Sequence, residues 1–227
     1  MDADPSQADL VASLKKHAEV LAAAASMDVN GAAPTDMDAA VREMLSRSSE
    51  LLRGAASLGN DGNPIALEVI ARALLENMIT ILWVQVDAAH PQHLKNAAVA
   101  ELTRMIRVNL KAGNARVMNR ETGADSTAEF LASDGFKNLP RRMSVEDRAK
   151  QAGVEDLYNI FYRSLSMGVH GHSLEGGDTS LELTVMHMQG VGAIALATGH
   201  SGVRWLVHRE RTDNETLRKL LGLGGEL

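Results

Sequence analysis

Apolar positions recur along the chain with helical spacing, and clusters of Gly, Pro, Asn and Asp divide them into segments. Leu10, Val11, Leu14 and Leu21, followed by a run of alanines, predict a first helix over Ser6 to Met27 that packs loosely and ends in a linker. Thr35-Asp36-Met37-Asp38 has the form of a capping box and opens a second helix to about Leu58. Gly59-Asn60-Asp61-Gly62-Asn63 stops it and sets Pro64 in the first turn of a third. That third helix, to about Ala89, is apolar on nearly every side, which places it at the centre of a bundle.

His90-Pro91 breaks it, and a fourth helix runs to about Val117 with Arg104, Arg107 and Lys111 on one face at i, i+3, i+7. The stretch 119–144, rich in Gly, Asp, Ser and Pro, predicts a lid-like excursion with a helical piece near Ala128 to Ala132. Ser144-Val145-Glu146-Asp147 caps a short helix ending at Gly153, and Val154 to Val169 forms the next. A long helix from about Thr184 to Glu210 and a terminal one from about Asp213 to Leu221 complete the chain.

Composition agrees with this pattern: aromatics are only 3% of 227 residues, while the helix formers Ala, Leu, Met and Glu are plentiful. The expectation is an all-α, up-and-down bundle over 36–227, with 1–35 as a peripheral helix and linker. Cysteine is absent, which excludes disulfides and thiolate metal sites. The first residues, Met-Asp-Ala-Asp-Pro-Ser, lack a basic and an apolar signal region, so the cytoplasm is the expected compartment. Leu183 to Val203 runs 21 residues without a formal charge, but His187, Gln189, His200 and four glycines make it a buried or kinked helix and not a membrane span.

Net charge is −6, which argues against a surface given over wholly to nucleic acid and leaves room for a local basic site. Arg104, Arg107 and Lys111 are the candidate nucleic-acid edge, with a plain solvated face as the alternative. No phosphate-cradling glycine loop, nucleophile elbow or zincin motif is present. His170 and His172 have no carboxylate at ligand spacing, so neither a metal nor another cofactor is expected.

The chemistry-bearing pattern lies on the helix that starts at Val154. At 100° per residue from Leu157, the positions Ile160, Phe161, Ser164, Leu165 and Gly168 gather on the side expected to face the core. Asn159, Arg163, Ser166 and His170 line the opposite side as a polar stripe. A guanidinium grips phosphate with permanent charge in a forked geometry, and an imidazole moves protons near neutral pH, so the pair fits metal-free work on a phosphodiester. The bland alternative is a helix-end cap with a dimer contact, because a His in a last turn suits the helix dipole in any protein. Arg72 and Glu76 share a face of the apolar third helix. They either pair with each other at i, i+4, or Glu76 reaches across to orient His170 or Arg163.

The run Arg163-Ser164-Leu165-Ser166-Met167-Gly168-Val169-His170 resembles the Arg, four to six residues, His motif of the HEPN superfamily. The longer block from Arg148 through Tyr158, Tyr162 and Arg163 to His170-Gly171, with Ala71-Arg72-Ala73-Leu74-Leu75-Glu76-Asn77, is similar to the two signatures of an uncharacterised bacterial domain family with HEPN-type bundles. That resemblance spans roughly Leu45 to Val207. It implies a homodimer whose motifs face each other across a cleft, RNA as substrate, His170 as general acid/base and Arg163 as the phosphate-binding group. Glu76, Arg72, Asn159, Ser166 and Tyr162 would support them. The residue after the Arg, commonly Asn, Asp or His in active members, is Ser164 here.

Overall fold

A computed structural model describes residues 6–27, 35–133, 143–165 and 181–208, without the side chains of 203, 204 and 206–208. Its elements are α1 (Gln7–Ser26), α2 (Asp36–Asn60), α3 (Pro64–Val84), α4 (His90–Lys111), α5 (Thr127–Ala132), α6 (Val145–Gln151), α7 (Glu155–Leu157) continuing into a π-turn (Tyr158–Tyr162), and α8 (Leu181–His208). Among the described residues there is no named strand, only the isolated bridge Met118–Asp125. The chain forms two units, 1–88 with 145–227, and 89–144.

The helix starts follow local chemistry. Ser6 and Thr35 each close a capping box, with Asp9 and Asp38 returning the bond, so two orphan backbone donors are satisfied at each end. Asn63 caps α3 through Ala66 N–H, with Pro64 in its first turn. α3 stops at Val84, about one turn before the expected end, and α4 stops at Lys111. The expected terminal helix over Asp213 to Leu221 lies outside the described residues.

α1, α2, α3 and α8 pack into the core of the first unit. α1 is not a peripheral appendage: Leu14, Ala18 and Leu21 are buried, and Ser49 Oγ of α2 donates to Ala18 O at 2.7 Å. The alanine-rich pattern concealed this, because small side chains signal a close helix contact as readily as a weak one. Small residues on α8 make the same approach possible; a Cβ on Gly202 would stand 2.7 Å from Cδ2 of the fully buried Leu45. The uncharged stretch expected over Leu183 to Val203 is therefore a core helix, and no described helix is long and apolar enough to cross a membrane.

Beside α3, the α6–α7 segment adds a smaller apolar cluster of Leu75, Met78, Ile79, Ala149 and Tyr162. α6 ends in a Schellman arrangement, with Gly153 at φ 71° and Val154 N–H bonded to Ala149 O at 2.9 Å, and this turns the chain into α7.

In the second unit, the expected basic stripe of α4 is only partly open to solvent, with Lys111 exposed. Arg104 and Arg107 are half-buried, while Val99, Leu102, Met105 and Val108 are exposed. Helical spacing tells which residues share a face, and it does not tell which face is covered.

Candidate functional site

The site grows out of an irregularity. Arg163 N–H bonds to Tyr158 O, five residues back, so the helix holds one more residue in this turn than an α-helix would. The inward set after Leu157 consequently changes, with Tyr162 turned in and Leu165 kept inward as expected. Ile160 and Phe161, expected in the core, are 61% and 50% exposed, and Tyr162 is 7% exposed. Leu165 packs inward with Leu157 and Tyr158, and Ser164, also expected to face the core, is exposed with its Oγ donating to Ile160 O at 2.6 Å.

This shift aligns a ladder of flat groups. Arg72 of α3 lies over the Tyr162 ring with its Cζ 5.1 Å from the centroid, and its Nη2 donates to the Tyr162 hydroxyl at 3.2 Å. Tyr162 stacks on Tyr158 with centroids 5.1 Å apart, and Arg163 lies over the Tyr158 ring with its Cζ 5.4 Å from the centroid. Burial first, and then the nearby Glu146 carboxylate, hold the Tyr158 phenol above its ordinary range, so it stays neutral. The Arg163 guanidinium is 56% exposed, and its Nη2 lies 3.5 Å from Oε2 of Glu146 on α6.

Behind the ladder stands a buried ion pair. Arg148 of α6 donates from Nη2 to Glu76 Oε1 at 2.9 Å and from Nη1 to the Thr80 hydroxyl. Glu76 thus pairs with Arg148, and Arg72 with Tyr162, in place of the Arg72–Glu76 pair that was one of the two expected arrangements. Removing one member of a buried pair commonly costs about 3–5 kcal/mol, since the remaining charge is stranded. Trp83 Nε1 donating to Gln151 at 2.8 Å pins the other end of α6 to α3.

The expected site residues thus fall into three groups. Arg163, Tyr162 and Arg72 are joined by the ladder, with Glu76 held just behind by Arg148. Asn159 is exposed on the π-turn. His170 and Ser166 lie outside the described residues. Arg104, Arg107 and Lys111 belong to the other unit; Arg104 is engaged by Glu101 at 3.0 Å, and Lys111 is exposed. Sequence spacing overlooked Glu146, Lys150 and Tyr158 as members of the site. The Glu146–Lys150 pair at i, i+4 was visible in the sequence, but its closeness to Arg163 was not.

An all-helical chain with a π-turn, an aromatic–guanidinium ladder and a buried Arg–Glu pair is the class that fold and site define. A family described only as a family of unknown function (DUF5677) matches residues 38–178, well over half of the chain, and the chain belongs to it. No curated protein and no solved structure matches it.

Proposed function

We propose that this protein is a HEPN-like, metal-independent ribonuclease, working as a cytoplasmic homodimer in a toxin or defence role. The observation that carries the reading is Arg163: an exposed guanidinium, stacked on Tyr158 at the end of a π-turn, seven residues before His170. π-turns are frequent at functional sites, because they re-aim a side chain at a cost in helix regularity. In the proposed reaction a ribose 2′-hydroxyl attacks the adjacent phosphorus and the bond to the 5′-oxygen breaks. His170 moves the proton, and Arg163 stabilises the charge on the phosphoryl oxygens. The products are a 2′,3′-cyclic phosphate and a 5′-hydroxyl, with no cofactor consumed.

One observation favours a second reading, a catalytically silent module that uses the same surface to hold RNA, a nucleotide or a protein. Arg163 already has a carboxylate beside it, Glu146 at 3.5 Å. The test is incubation of a mixed RNA pool with the purified protein in EDTA, beside Arg163→Ala and His170→Ala of equal folding and dimer content. Cleavage with cyclic phosphate ends, lowered at least about 100-fold by either substitution, is expected. Intact RNA after incubation with well-folded wild type favours the silent module.

A further inference from the structure

Two cations from different segments converge on one carboxylate. Glu146 presents Oε1 to Lys150 Nζ at 3.1 Å and Oε2 to Arg163 Nη2 at 3.5 Å. Lys150 is further steadied by Glu155 at 3.6 Å, and Arg163 by the Tyr158 ring. An ammonium and a guanidinium each facing a separate oxygen of one anion is also how two non-bridging oxygens of a phosphate are held. The three side chains are between 36% and 56% exposed, and ion pairs this open to water are weak. The carboxylate is therefore easily displaced. The cations stay roughly in place, because the ladder and the Gly153 turn fix the segments that carry them.

We propose that Lys150 and Arg163 form a two-cation clamp for a phosphodiester of single-stranded RNA, and that Glu146 is its built-in counter-ion, which must swing out before phosphate enters. This rests on the reading of Arg163 as a phosphate-binding group and adds Lys150 to the site, with Glu146 as its regulator. Glu146 neutralises the two cations in the empty state and sets a threshold against weak anions.

The experiment uses a fluorescent 2′-O-methyl oligoribonucleotide, which cannot be cleaved because its 2′-oxygen carries no proton. Binding is followed by anisotropy for the full-length wild type, Glu146→Gln, Lys150→Ala and Lys150→Arg, with thermal melts for each. A unit charge about 4 Å away is worth roughly a five-fold change in water, so Glu146→Gln is expected to bind about five-fold tighter and Lys150→Ala about five-fold weaker. Lys150→Arg should restore most of the loss. Unchanged or weaker binding by a well-folded Glu146→Gln overturns the proposal, as does no binding by any variant. If Glu146→Gln melts early, the Lys150 pair decides: Ala binding as well as Arg overturns the clamp. Cleavage of ordinary RNA, measured in parallel, separates the two ideas. Tighter binding by Glu146→Gln without cleavage keeps the clamp and sinks the ribonuclease, and cleavage with unaltered binding does the reverse.

Discussion

Glu76 and Arg148 sit where charge is costly, and each is there because the other is. The guanidinium is nearly covered and the carboxylate about one-third exposed, so Glu76→Gln weakens a pair that water cannot fully replace. Urea denaturation should show a loss of about 2–4 kcal/mol for this variant, and much less when Arg148→Met accompanies it, since the stranded charge is then gone. Tyr158 offers a pH readout on the same scale. Its pKa is raised on folding, so the stability it contributes is complete below the ordinary phenol range and is lost as pH climbs through the raised value. The alkaline limb of a stability–pH curve should therefore flatten in Tyr158→Phe. Neither feature was legible in the sequence beforehand. Arg148 and Glu76 are 72 positions apart, and no local spacing links partners that a tertiary fold brings together.

At the scale of the element, the π-turn decides which side chains matter. Helix starts were legible, because a capping box or an Asn-Pro pair is a local event written in four residues. The faces of the helix after Val154 were legible only in part: Leu165 packs inward and Asn159 and Arg163 outward as expected, but a single added residue in a turn leaves no mark in a 100° wheel, and it turns Tyr162 in and Ile160, Phe161 and Ser164 out. The difference is measurable by substitution. Ile160→Gln and Phe161→Gln, at exposed sites, should each change stability by no more than about 0.5 kcal/mol. Tyr162→Ala should cost about 3–5 kcal/mol, as large core aromatics do, and should also release Arg72. A straight α-helix requires the opposite order, so chemical denaturation of the three variants distinguishes the two registers. The same limit shows in α4, where Arg104 and Arg107 are half-buried and Lys111 is exposed, a difference along one stripe that spacing does not show.

For the whole molecule, all-helical architecture and a central α3 were already plain in composition and periodicity, whereas the depth of α1 was not. Between Ala89 and Ser144 nine Lys and Arg face five Asp and Glu, a net +4 in a chain of −6, so the first unit carries −10. The acidic balance of the chain as a whole thus hides a basic unit, which an overall charge cannot disclose. The close contact of α8 with α2 gives another expectation: Gly202→Val should lower stability by about 1–3 kcal/mol, because the new side chain would run into the fully buried Leu45. That contact also has a consequence in time. Leu14 and Leu21 of α1 pack near Gly192 and Gly199 of α8, some 178 residues later in the chain. At a synthesis rate of roughly 5–20 residues per second, and although α2 is made sooner, the α8-facing side of the first helix waits about ten to thirty-five seconds on the ribosome for its cover. During that interval its apolar stripe is open to chaperones and to neighbouring nascent chains.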